Sequence, residues 1–434
     1  MLRQSRTAVG ARTARDGESF DVLVLDAATR QSLACTRSLG RAGLRVATAE
    51  CFAECDPALP VLSFRSRYCT ASVVLPNFVD DIVGFADGVI DFVRRHPTRV
   101  VVPASDGSIA ALLPRRSELE ALASCLALSP PDALSLANDK AITLSVAESL
   151  GITGPRTVRI NCAAELPLLL GTLSFPFVLK PTTSWAGRSS LRLQAVDVVD
   201  EAEAERVVME FVNRGVGALG QVWVPGRREG VTLFMVDGEI RATFAHVEWR
   251  TTPALGGVSV VRESIAVPDD LRASSIELVR ALGLEGLSEV EFRRDESGRP
   301  LLMEINARMA GTVESAVACG VDFPHMLWRW SVGEPVGEVT SYQVGRRMRW
   351  LRGDMRWLRD NHRRTGRPDS VSRVKGAATF GAEFLRSSHY DCFDARDVRP
   401  ALAELRTTLA AVHQSWRGPH DHSLGTSEEV CVVD

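Results

Sequence analysis

Lysine is almost missing from this chain. Only Lys140, Lys180 and Lys375 occur among 51 lysines and arginines, so nearly every positive charge is a guanidinium. A strong Arg and Ala bias is the mark of a high-GC bacterial genome, in which surface lysine is readily replaced. A lysine that persists then points to a position needing a compact ammonium rather than a planar fork. For Lys375 the sequence context suggests no such need. An excess of one charge sign is lacking too: the net charge is −3, which carries no nucleic-acid-binding signature. No apolar run approaches the roughly 18 residues of a membrane span. Nine cysteines are scattered with no C-x-x-C pair; Cys51 and Cys55 are the closest, with no histidine cluster nearby. This usage suggests reduced thiols in a cytoplasmic protein rather than disulfides or zinc. The glycine cradle of a dinucleotide fold is absent as well: the turn after the first apolar run reads DAATRQS, not G-x-G-x-x-G.

What is present is a chain of 434 residues, 45% hydrophobic, long enough for two or three packed domains. The first 19 residues, basic and without apolar periodicity, read as a disordered leader. The segment FDVLVLD (Phe20–Asp26), a helical pattern from Gln31 to Gly40 and a strand at Leu44–Ala49 open a β-α-β unit. RVVV (Arg99–Val102) continues that sheet, and Asp106 behind it either faces a cleft or caps a turn. A second unit starts near Ser129-Pro130-Pro131. In it Asn138 or Asp139 caps a helix with apolar residues at Ile142, Leu144, Val146 and Leu150, which places Lys140 in the first turn. FPFVLKP forms a strand carrying Lys180, followed by the Gly/Ser/Thr loop TTSWAGRSS. Strand-rich sequence with a turn at Asp237-Gly238 follows, then the hairpin SEVEFRR–DESGRP–LLMEINAR and helical residues from about Val313 to Gly333.

That hairpin carries the strongest chemical signal. In LLMEINAR the polar residues Glu304, Asn306 and Arg308 alternate, so they share one strand face. Pairing across DESGRP sets Glu291 opposite Glu304, with Glu289/Asn306 and Arg293/Leu302 on either side. Facing carboxylates repel unless a cation lies between them. A hard divalent ion bound by oxygen ligands supplies one; an exposed strand face with unpaired acids is the plainer account.

Taken with its neighbours, the hairpin resembles the ATP-grasp superfamily, in particular its carboxylate–amine ligases. The likeness rests on ordered elements from Phe20 to Pro335: DK-x6-A-x3-G at Asp139–Gly151, FVLKP, a small-residue loop, QVWVPG, and VEFRRD…MEINAR. It implies an α/β protein with a Rossmann-like pre-ATP-grasp domain (20–130), an ATP-grasp domain (131–335, lid about 151–218) and a C-terminal extension (336–434). It also implies ATP and Mg²⁺, or Mn²⁺, as cofactors. Glu291, Glu304 and Asn306 would hold the metal, and Lys140 and Lys180 would contact phosphates. The loop with Ser184, Gly187 and Ser189 would close over them. Gln221, Trp223 and Val224 would form the hinge at the adenine, with Glu229 near ribose or simply a solvated turn acid. Arg308 would face the reacting group, while Gly257 and Arg262 would line the acceptor side, although for Arg262 an ordinary ion pair serves equally. Ala307, Val222 and Glu248 depart from the family pattern.

The implied activity is amide or peptide bond formation through an acyl phosphate, releasing ADP. The partners would be a small-molecule carboxylate and an amine, amino acids among them, with no nucleic acid or membrane. A bicarbonate-activating carboxylase or carbamoyl-phosphate-type enzyme, and a non-catalytic nucleotide-binding regulator, remain alternatives. The Arg/Trp-rich extension could shape an acceptor pocket, a homodimer surface or a packed flank.

Overall fold

A computed structural model describes residues 12–53, 55, 59–183, 193, 195–253, 257–363, 367–368 and 370–416, with side chains as far as 409. The opening run forms β1 (Phe20–Val24), a parallel strand flanked by β2 (Val46–Glu50) and β4 (Thr98–Val102), with β3 (Cys69–Val74) and β5 (Cys125–Leu126) at the edges. Both faces of β1 are covered, which is why it reads as an unbroken apolar run. Leu23 joins Phe85 and Val89 of the helix Ile82–Arg95. Val22 and Val24 face Leu39 of the helix Arg30–Arg41 and Phe323 of a much later helix. Residues 12–19, expected as loose leader, are held in part by this sheet. The Arg12 N–H donates to Ser72 Oγ at 2.7 Å, and the Ser72 N–H donates back to the Arg12 carbonyl at 2.8 Å.

A small antiparallel sheet follows, ordered β6 (Thr157–Ile160), β9 (Ala218–Val222), β7 (Phe177–Pro181) and β8 (Val196–Val198). The helix Glu201–Asn213 covers it with Ala204, Val207, Val208 and Phe211, and Leu169 fills the space above Gly220, where a Cβ would lie 2.1 Å from it.

The third sheet is the largest. Its order is β14 (Pro300–Asn306), β13 (Gly286–Arg294), β10 (Arg228–Val236), β11 (Glu239–Thr252), β12 (Val258–Ile265), β15 (Arg347–Arg349), β16 (His389–Tyr390). Asp237 and Gly238 join β10 to β11 with φ of 53° and 73°, the left-handed pair that a tight hairpin requires. One sheet face packs Val231, Leu233, Val290 and Phe292 against the helix Asp269–Ala281. The other face is apolar at Phe234 and Phe244 and turns polar at Thr232, Gly230 and Arg228. This polar end carries the candidate site.

The expected helical stretch to Gly333 is two helices, Val313–Cys319 and Phe323–Ser331. Gly320 ends the first at φ 103°, and Asp322 caps the second. The helix Lys140–Ser149 also differs from its apolar spacing. It buries Thr143 and Ala147, whereas Ile142 and Leu150 are 38% and 37% exposed, because this helix borders a cleft rather than a core. Beyond Val336 the chain is no mere flank: β15 pairs antiparallel with β12 and extends the sheet that carries the site. Among the described residues no helix is long and apolar enough to cross a membrane.

Candidate functional site

The register of β13 and β14 places Glu291 opposite Glu304 and Glu289 opposite Asn306. Simple alternation sets Arg293 opposite Leu302, but a bulge skips Met303, so Arg293 faces Leu301 and Leu302 faces Phe292. The bulge has a clear driving force. Without it Leu302 would share the polar face of Glu304; with it Leu302 is fully buried in the core beside Phe292.

Around Glu291 the charges are dense. Arg228, across from Glu248 on β11, places Nε 2.5 Å from Glu248 and Nη1 2.9 Å from Glu291 Oε2, and Nη2 donates to the Gly257 carbonyl at 2.6 Å. Burial alone would lower the Arg228 pKa, and Glu248 and Glu291 more than reverse that. Burial would raise Glu248, yet Arg228 and then His246 bring it down to about 2. Glu291 goes the other way. Burial pushes it well above the carboxylate range, and repulsion from Glu304, Glu248 and Glu289 adds to that against the pull of Arg228. Glu289 is anchored by the hydroxyls of Thr232 and Thr312, which donate at 3.1 and 2.6 Å.

Lys180 comes from the small sheet. Burial lowers its pKa to about 8, opposed by Glu304 and Glu291 and aided by Lys140. Lys140 follows the capping Asp139, and its N–H donates to the Thr182 carbonyl at 3.1 Å, which ties its helix to the end of β7. Lys140, Glu304, Asn306 and Arg308 line one cavity of about 140 Å³ together with Asp106 and Thr183. Asp106, in the first turn of the helix Asp106–Leu112, accepts from Arg308 Nε at 2.6 Å, so the first domain closes this cavity.

Among the described residues no three His, Cys, Asp or Glu side chains converge as a metal centre. The donor set nonetheless suits a hard divalent cation that takes its other oxygens from phosphates. Glu291 Oε2 is buried without a hydrogen-bond donor, because the nearby Arg228 nitrogen is misaligned. The amide nitrogen of Asn306, 3.3 Å from Glu291 Oε1, is the end turned toward that carboxylate.

Other expected residues lie elsewhere. Glu229 is on the opposite sheet face from Glu291, paired with Arg294 at 2.9 Å, since one residue along a strand reverses the face. Arg262 is fully buried, bound to Asp391 at 2.8 Å and to Ser315, which removes it as a contact for a diffusing anion. In the segment expected as the hinge, the Gln221 amide donates to Thr157 Oγ1 at 3.1 Å. The Val224 carbonyl accepts from Arg293 at 3.0 Å, and Trp223 lies 5.0 Å from that guanidinium. Ser184, Gly187 and Ser189 lie outside the described residues. The sequence reading missed Arg228; the signal was its position in RREGVT, two residues before a glycine that turns out to face Glu291.

Two antiparallel sheets gripping a cleft behind a parallel domain define the ATP-grasp architecture. Comparison with known proteins agrees. A family model described as ATP-grasp in the biosynthetic pathway with Ter operon matches residues 255–353. The L-amino acid ligase of Bacillus licheniformis superposes with a TM-score of 0.55 at 18% identity, over 74% of this chain and 75% of that one. An ADP complex of N5-carboxyaminoimidazole ribonucleotide synthetase gives 0.58 at 15% identity, over 86% and 100%. D-alanine–D-alanine ligase of Nitrosococcus oceani is 24% identical over 177 residues, 37% of this chain and 53% of that protein, so the chain spans about half the length of this relative. The chain has the fold of the ATP-grasp proteins.

Proposed function

We propose that the protein is an ATP-dependent carboxylate–amine ligase. The observation that carries this reading is the β13–β14 register, which opposes Glu291 and Glu304 beside Asn306 while Lys180 stands within electrostatic reach of both acids. The proposed division is a first domain at 20–130, a grasp at 131–335 with its lid at about 151–218, and an extension at 336–434.

A carboxylate resists attack by an amine because its oxygen is a poor leaving group. Transfer of the γ-phosphoryl group of ATP to a carboxylate oxygen breaks the bond to ADP and makes an acyl phosphate. The amine then forms the C–N bond, phosphate departs with the electron pair of the C–O bond, and the amine proton passes to solvent. Protein groups serve this chemistry by position and charge. Lys140 and Lys180 would offset phosphate charge, and Arg308, held by Asp106, would present its guanidinium to the group being transferred. Glu291, Glu304 and Asn306 would hold Mg²⁺ or Mn²⁺, which neutralises phosphate oxygens when bound.

A mass-spectrometric screen of paired carboxylate and amine pools with ATP tests the reading, with ADP and AMP resolved. ADP with a condensed product is expected; AMP would overturn the acyl-phosphate route, and ADP release driven by bicarbonate alone would move the protein to the carboxylases. Glu304→Gln and Asn306→Ala should each slow ADP formation by roughly a hundredfold or more without changing the circular dichroism spectrum. Lys180→Arg should also fail despite its conserved charge.

A further inference from the structure

Beyond the proposed site, a second and larger cavity of about 360 Å³ opens where the C-terminal segment meets β10 and β11. Seven arginine and lysine side chains line it against two carboxylates. Both carboxylates are already matched. Glu248 is held by Arg228, and Glu383, on the helix Arg373–Arg386, is held by Arg347 at 2.7 Å with Arg250 at 3.5 Å. Arg250 is further bound by Asp354 at 2.7 Å. What remains at the mouth is Arg227, Lys375 and Arg386, exposed, and with no ion-pair partner among the described residues. The Arg227 guanidinium lies 3.6 Å from the ring centroid of Trp249, an arrangement that stiffens the side chain and leaves its N–H edge available. Trp357 forms part of the same wall. Like charges gathered on one concave surface repel, and focus a positive potential that an anionic ligand relieves. Arg228 lines this cavity and also touches Glu291, so a ligand seated here lies next to the proposed phosphoryl-transfer centre.

We propose that this cavity is the acceptor pocket and that the carboxylate substrate is an oligo-anion. One carboxylate would reach toward Arg228 for activation, while at least one further anionic group, carboxylate or phosphate, is held by Arg227, Lys375 and Arg386. The substrate role rests on the ligase reading; the anion site does not. On this account Lys375, one of three lysines in the chain, has a task after all.

The test titrates the full chain with citrate, glutarate and tripolyphosphate, following tryptophan fluorescence and calorimetry, both without nucleotide and with saturating ADP and Mg²⁺. Saturable binding of citrate or tripolyphosphate is expected, weakened roughly tenfold or more in the triple variant R227A/K375A/R386A and in Lys375→Glu. Tighter binding of one class than the other identifies carboxylate or phosphate as the second group. ADP affinity should be unchanged in both variants, whose altered residues are exposed and outside the nucleotide cleft. Equal binding by wild type and triple variant, equal binding of neutral glutaramide, or saturation by none of the three anions would overturn the pocket. Failure of ADP to bind the wild type would strike the ligase reading alone, since the anion titration also runs without nucleotide.

Discussion

Burial strips Lys180 of its hydration and lowers its pKa to about 8, while Glu304 and Glu291 pull it back toward the ordinary value. An incoming phosphate would stabilise the ammonium further, so the pKa of the bound state should exceed that of the free one. The sign follows from linkage. Above a pH of about 8 the free protein has begun to lose this proton, and nucleotide binding must restore it. ADP affinity should therefore fall as pH rises through that value, by up to about tenfold per pH unit. Calorimetry near pH ~9 in buffers of different ionisation enthalpy should show close to one proton taken up per ADP. Lys180→Met should bind more weakly and lose the dependence. A wild type whose ADP affinity is flat over this range would mean that Lys180 does not meet the phosphates.

At the scale of elements, the site is a matter of register. The facing of Glu291 and Glu304 was legible because alternation and a short turn fix it locally. The Asp237–Gly238 hairpin was legible for the same reason. The bulge at Met303 was not, because what drives it is burial of Leu302 against Phe292, and no local pattern announces that contact. Arg228 was missed, and the side of the sheet taken by Glu229 was not legible either. Adjacent residues on β10 face opposite ways, and only the sheet order β14-β13-β10-β11 decides which of them meets the acids. The same register explains Gly230, which sits opposite Glu291 and beneath the buried ring of His246, where a Cβ would come within 2.4 Å of Cε1. His246 in turn lies 3.5 Å from Glu248. Gly230→Val should therefore cost about 1–3 kcal/mol of stability, read from chemical denaturation, and should weaken the Arg228–Glu248 arrangement through His246. A neutral substitution would mean that the imidazole swings aside freely.

Across the whole molecule, the C-terminal segment is fastened to the first domain by buried charge as well as by an apolar seam in which Leu33 and Leu62 pack with Trp350, Trp357 and Cys392. Arg37, fully buried, binds Asp397 at 3.0 Å and the carbonyl oxygens of Cys392 and Asp397. Asp391 receives Arg30 from the first domain and Arg262 from β12 at 2.8 Å, so one carboxylate joins three parts of the chain. Burial would raise the Asp391 pKa, but Arg262 and Arg30 outweigh it and hold it below the usual value. A lowered folded pKa contributes stability that is complete above the unfolded aspartate range of about 3.9 and is lost as pH falls through the folded value. Acid should thus release this segment along with the anion pocket that its helix helps to build. Asp391→Ala leaves two guanidinium groups buried without their carboxylate, a change that should cost about 3–5 kcal/mol. In thermal denaturation at neutral pH the variant should melt well below wild type, and limited proteolysis should cut first around Ser387–Val398. Because the wild type loses the same interaction on protonation, the gap between the two melting curves should narrow as pH is taken below the aspartate range. A gap that stays constant down to strong acid would show that the fastening is one of shape, with the charges incidental.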